Sequence, residues 1–231
     1  MRESDGTSWR FTEDVAELPH LALYLRDAVR LPVPDAPDLP PRLDAPIPDR
    51  SEVLGAADLP AAAAQWARWW AAIIDAEARS DDQPPSAGAD PHEAARARLR
   101  AAGDARRPVL PEPPDFAALT DFPELQRAVA ATFTEATRLV SKHRRNLLFH
   151  DRPAQIPWVL LSGVAEQVAT DRAVPTTALH GRVEVLMVQG SWWTLHSPGV
   201  ALASVAAARD RGVATELVTR VFTSALDGAT D

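Results

Sequence analysis

The sequence of 231 residues contains no cysteine, one lysine (Lys142), one asparagine (Asn146) and one tyrosine (Tyr24). Without thiols there can be no disulfide staple, no thiolate zinc site and no cysteine nucleophile. Long apolar runs are also missing: none approaches the ~18–20 residues that a membrane span requires. The stretch Met1–Thr7 is polar and acidic, without the apolar segment of a signal peptide, so the expected location is cytoplasmic. No HExxH pattern and no His-x-His pair occurs, and no glycine-rich phosphate loop follows a strand. Neither a metal site nor a bound cofactor is expected.

One lysine against 23 arginines, with abundant alanine, is the residue usage of GC-rich coding DNA, as in a high-GC bacterium. Arginine is then the default cation rather than a selected phosphate ligand. The net charge of −8 is unevenly placed, with 21 acidic and 13 basic residues in 1–115 but 11 of each in 116–231. Binding to a polyanion rests on a basic footprint and counterion release, which an acidic half opposes. Lys142-His143-Arg144-Arg145 is the exception and supports nucleic-acid binding as a third reading. At the end of a long helix the same cluster suits the negative end of the helix dipole.

Proline is plentiful, at 21 residues, and concentrated. From Leu31 to Pro60 one recurs every few positions, fixing φ and biasing each predecessor toward extended geometry. Val33, Leu39, Leu43, Ile47, Val53 and Leu54 punctuate this stretch. It therefore reads as an ordered strap across the protein's own surface, with a docking arm for another chain as the alternative. Arg106–Asp115 is a second proline-rich connector.

Elsewhere the period is helical. A short helix ends near Leu31 on Leu21, Leu25 and Val29. Asp58-Leu59-Pro60 opens a second, whose face carries Trp66, Trp69, Trp70, Ile73 and Ile74, a stripe suited to core packing. Asp90-Pro91-His92-Glu93 and Asp121-Phe122-Pro123-Glu124 are capping boxes. The second of these begins the longest helix, with Leu125, Val129, Phe133, Ala136, Val140 and Leu147 on one side. Pro157–Thr170 and Val213–Leu226 complete the set. The expected fold is mainly α, a helical domain of about seven helices with a β-hairpin inserted near the C-terminus. Residues 1–58 supply a short helix plus the proline-rich strap, and 59–231 the helical domain.

The hairpin is expected at about 182–195, because the period changes there to that of a strand. Arg182–Val188 is rich in β-branched residues, Gln189-Gly190 offers a reversal, and Ser191–Leu195 returns. In that register Met187 opposes Trp192 and Leu186 opposes Trp193, leaving both faces apolar. Helices, further strands or another subunit must then cover it. Ser197-Pro198 reads as the N-cap and first residue of an alanine-rich helix running to Arg211.

The candidate chemistry lies at the open end of this ribbon, where His180 and His196 flank the hairpin beside Ser197. Imidazoles there could do acid–base work or bind an anion at the helix N-terminus. His143 and His150 are seven apart, ~10 Å along a helix, too far to share one metal ion. Asp81-Asp82 reads as a solvated turn. The favoured function is non-catalytic: an interaction or regulatory protein, self-associating or binding another protein through Trp192, Trp193 and Met187 or through the strap. The alternative is a small enzyme or ligand-binding protein with a pocket near His180 and His196.

Overall fold

The computed structural model describes residues 9–79, 91–149 and 156–228. Met1–Thr7, Asp81-Asp82 and His150 lie outside these residues. Among the described residues the chain is mainly α, with seven α-helices and one four-stranded sheet. In chain order these are β1 (Arg10–Asp14), α1 (Glu17–Ala28), α2 (Leu59–Arg79), α3 (Pro91–Arg106), α4 (Pro123–Phe149), α5 (Trp158–Arg172), β2 (His180–Leu186), β3 (Trp193–Ser197), β4 (Val200–Ser204), α6 (Val205–Arg209) and α7 (Arg211–Gly228). No helix among them is long and apolar enough to cross a membrane. The chain forms two compact units. The first takes the described parts of Met1–Ala16, Asp35–Ala45 and Lys142–Asp231, and the second those of Glu17–Pro34 and Pro46–Ser141.

The first unit is built on the sheet, whose strand order is β1-β2-β4-β3. β1 and β4 both run parallel to β2, and β3 runs antiparallel to β4. Strands alternate their side chains between faces, so Val183 and Val185 of β2 share one face with Ala201 and Ala203 of β4. That face packs against Leu161, Val164, Ala165 and Val168 of α5 and Leu217, Val218, Val221 and Phe222 of α7. Gly181 lets α7 come close: a Cβ there would lie 2.5 Å from Val221 Cγ1. Trp9 lies against Trp158, its ring tilted by 31° at 4.3 Å between centroids, and meets Phe222 edge-on.

The hairpin differs from the expected one in its partner strands. β2 and β3 do not pair, because β4 lies between them. After Leu186 the chain leaves the sheet's ladder for the strap: Asp44 N donates to Met187 O at 2.9 Å and Gln189 N donates to Arg42 O at 2.8 Å. Leu43 and Val188 form an antiparallel bridge. Gln189-Gly190 thus hands the chain to strap residues rather than folding it back on β2. The reversal falls instead at Pro198-Gly199, between Ser197 and Val200. Proline followed by a glycine at φ 75° fits a type II turn. Ser197 accordingly ends a strand rather than capping a helix, and Val200–Ser204 is strand rather than the start of an alanine-rich helix. The cap belongs to Ser204, whose hydroxyl accepts from Ala207 N at 3.1 Å and from Trp192 N at 3.0 Å.

In the second unit the tryptophan stripe of α2 is core. Trp66 and Trp70 stack at 5.6 Å, and the indole N–H groups of Trp66 and Trp69 donate to Ala22 O at 2.7 Å and Val109 O at 2.9 Å. Buried indoles need such partners, since an unsatisfied N–H in a dry core is costly. Gln65 Oε1 accepts from Leu125 N at 2.9 Å, satisfying a free amide in the first turn of α4. Glu135 of α4 accepts from Tyr24 Oη at 3.1 Å and from the Arg50 guanidinium. Burial and the adjacent Glu135 carboxylate push the Tyr24 phenol up to about 12.

Candidate functional site

His180 is exposed at the first position of β2, its Nδ1 3.4 Å from Ala178 O. His196 is half-buried on β3, inside the irregularity between Leu195 and Ser197. The strands that carry them are second neighbours, about two strand spacings or ~10 Å apart. The expected convergence of both imidazoles on Ser197 at a helix N-terminus depended on β2 pairing with β3, and on a helix that is a strand. Lys142, Arg144 and Arg145 lie on the later turns of α4.

Met187 is buried and gives its carbonyl to the strap. Trp192 is half-buried and donates its indole N–H to Pro37 O at 2.9 Å, so it too is engaged by the strap. Trp193 is half-buried for another reason. It lies on the outermost strand, packed with Leu195 against the margin of the α5/α7 cluster.

The backbone of β3 makes this margin a site. Ser204 N donates to Trp192 O at 2.8 Å, and antiparallel ladders alternate bonded and non-bonded pairs. Thr194 opposite Leu202 is therefore the next bonded pair, while Trp193 opposite Ala203 and Leu195 opposite Ala201 are the non-bonded ones. The N–H and C=O groups of Trp193 and Leu195 consequently point away from β4, off the edge of the sheet. Among the described residues no further strand lies there. The Thr194 hydroxyl, 3.4 Å from Leu195 O, is a weak local donor that leaves the carbonyl's second lone pair available.

The two edges of the sheet differ in chemistry. β3 reads Trp-Thr-Leu-His-Ser and carries no acidic, lysine, arginine or proline residue, whereas β1 at the opposite edge reads Arg-Phe-Thr-Glu-Asp. Charges on an edge strand deter other strands from adding to it, and β1 has three such residues.

A second group of polar residues lies on the sheet face opposite α5 and α7. Asp14 is paired with Glu184 across β1 and β2, and Arg182 is two residues from Glu184 on the same face. Arg182 and Glu184 form a buried ion pair, Asp14 is 4.0 Å from Arg182, and Ala16 N donates to Glu184 Oε2 at 3.3 Å. Glu13 points the other way, toward the α5/α7 side, and accepts from Ile156 N at 3.0 Å. Desolvation raises its carboxyl to about 7 from the ordinary 4.5, although the Ile156 N–H partly stabilises the charged form.

Because folded Glu13 binds its proton more tightly than the unfolded chain does, its contribution to stability is complete below about 4.5 and is lost as pH rises through about 7. Glu13→Gln, which keeps an acceptor for Ile156 N, is expected to be more stable than the parent near pH 8 by about 1–3 kcal/mol. The two should converge near pH 4. Urea midpoints across that range test this, and parallel curves would show that Glu13 is not buried as described.

Sequence reasoning missed these four charged residues, although Arg182 and Glu184 were legible as charges spaced two apart within a β-branched run. That spacing puts both on one face of a strand, where burial demands that they pair. Set beside known protein families, curated proteins and solved structures, the chain matches none of them.

Proposed function

We propose that the protein is a non-catalytic binding module, working in the cytoplasm, that takes an extended protein segment by strand addition at β3. The observation that carries this reading is an uncharged edge strand with two residues' backbone groups directed outward. Main-chain hydrogen bonds supply affinity in such recognition, and the alternating side chains beside them supply selectivity. Trp193 and Leu195 would lie under an added strand on the α5/α7 side, and Thr194 on the other. Trp192 and Met187 contribute indirectly, by fastening the strap beside the strand's start. The acidic balance of residues 1–115 favours a protein partner over nucleic acid.

Short peptides selected from a random displayed library against the full-length protein test the idea. Bound peptides are expected to slow amide exchange at Trp193 and Leu195 and to leave Thr194 nearly unchanged, since its amide already faces β4. Leu195→Pro removes one outward N–H without touching the ladder to β4, and proline is tolerated at such edge positions. Peptide binding should fall on the order of tenfold or more, the size expected when the lost hydrogen bond leaves a partner group unsatisfied. Peptides that bind without protecting Trp193 and Leu195, or that bind Leu195→Pro equally well, would place recognition elsewhere.

A further inference from the structure

From the outward pattern of β3 we infer that the segment it takes is β3 of a second copy, the two strands pairing antiparallel about a two-fold axis at Thr194. This rests on the strand-addition reading and names its partner. The regular part of the edge is Trp193-Thr194-Leu195, because the ladder becomes irregular between Leu195 and Ser197. An odd-numbered run with outward groups on its first and third residues is complementary to itself when reversed. Trp193 of one copy meets Leu195 of the other, exchanging an N–H for a C=O in each direction, and the symmetric pair repeats this. Four hydrogen bonds result. Thr194 faces Thr194 of the second copy as a non-bonded pair, in which the side chains approach most closely.

The side chains suit a second copy as well. No charge meets a like charge, since Trp193–Leu195 contains none, and threonine opposite threonine and an aromatic opposite an aliphatic are favourable cross-strand pairs. Trp193 and Leu195, half-buried at the margin of the α5/α7 cluster, would each gain an apolar neighbour from the other copy. β1 suits a second copy less well. Reversed on itself about Thr12 it sets Phe11 opposite Glu13, an aromatic against a carboxylate already engaged with Ile156 N, where β3 sets an aromatic opposite an aliphatic. Three residues make a short seam, so the dimer exchanges and its population depends on concentration.

The absence of cysteine provides a clean test. Thr194→Cys introduces a single thiol, and its counterpart in the second copy would have a Cα about 4.5 Å away, within the range that a disulfide spans. Under mild oxidation this variant is expected to form covalent dimer on the order of tenfold faster than Ser191→Cys, an exposed control outside the seam, because pairing raises the local thiol concentration. Sedimentation of the unmodified protein should show monomer passing to dimer with concentration, and Leu195→Pro should remain monomeric. Should Leu195→Pro fail to fold, the comparison of the two thiol variants still decides. Equal crosslinking rates overturn the inference, as does a protein that stays monomeric throughout. If that monomer's Trp193 and Leu195 amides are protected by a selected peptide, self-pairing alone is wrong. If no peptide protects them, the strand-addition reading falls too.

Discussion

Truncating Trp66 to alanine is expected to destabilise the second unit by about 3–5 kcal/mol. The side chain is fully buried, at 0% exposure, and opens the α2 stripe. Its loss removes the stack on Trp70 and the hydrogen bond to Ala22 O, and leaves the Arg26 guanidinium, 5.6 Å from the ring centroid, without its aromatic face. The void is large because α1 and α2 are held apart by the indole, and packed helices close only partly over a deleted side chain. A domain's total stability is roughly 5–15 kcal/mol, so this one substitution removes a major share. Trp66→Phe keeps most of the volume and loses the N–H, and should cost about 1–2 kcal/mol. The two units need not unfold together, so the measurement is a urea titration followed by amide exchange read at α1 and α2, which belong to the second unit. A shift below about 1 kcal/mol for Trp66→Ala would mean that the stripe is not the core of the unit.

That stripe shows why the helical part was legible from sequence. Trp66, Trp69, Trp70, Ile73 and Ile74 recur at three and four, the helix opens near Asp58-Leu59-Pro60 as expected, and all five side chains are buried. Helical signals are local, so the residues that determine them lie within a few positions of each other. The sheet was not legible in the same way. β1 is five residues with three charges, and its partner β2 starts 170 positions later, at His180 opposite Arg10. Nothing within a short window reveals that pairing. β4 reads Val-Ala-Leu-Ala-Ser, a composition that suits a helix as readily as a strand, and only its place between β2 and β3 resolves it.

The candidate site suffered from the same cause. Gln189-Gly190 is a plausible reversal by composition, and Gly190 does take a positive φ of 72°. The chain nevertheless spends the neighbouring amide on Arg42 O, a strap residue remote in sequence. Ser197-Pro198-Gly199 was ambiguous between a helix start and a turn. The glycine was the available signal: at the third position of a tight turn it supplies the left-handed conformation that a helix start does not need. As a turn glycine it places the hairpin at 193–204, and the strand order then leaves Trp193 on the edge.

The second large effect concerns the buried charges of β2. Arg182→Ala is expected to cost about 3–5 kcal/mol, because it leaves the Glu184 carboxylate, 1% exposed, without its guanidinium. The penalty arises from the stranded charge more than from the lost attraction, since a buried ion pair as a whole contributes little net stability over an apolar replacement. The double variant Arg182→Met with Glu184→Gln distinguishes the two accounts. Methionine fills much of the arginine's volume, and glutamine keeps a carbonyl oxygen for Ala16 N, so that neither a charge nor an amide is left unsatisfied. It should recover most of the stability lost by Arg182→Ala, leaving Asp14, which is partly exposed, to be solvated. Denaturant midpoints of the parent, Arg182→Met, Glu184→Gln and the double give the coupling directly. If the double proved as unstable as Arg182→Ala, charge compensation would not be the reason for the pair. The directional hydrogen bond between the guanidinium and Glu184 would then be what keeps this face of β2 in register with β1 and β4.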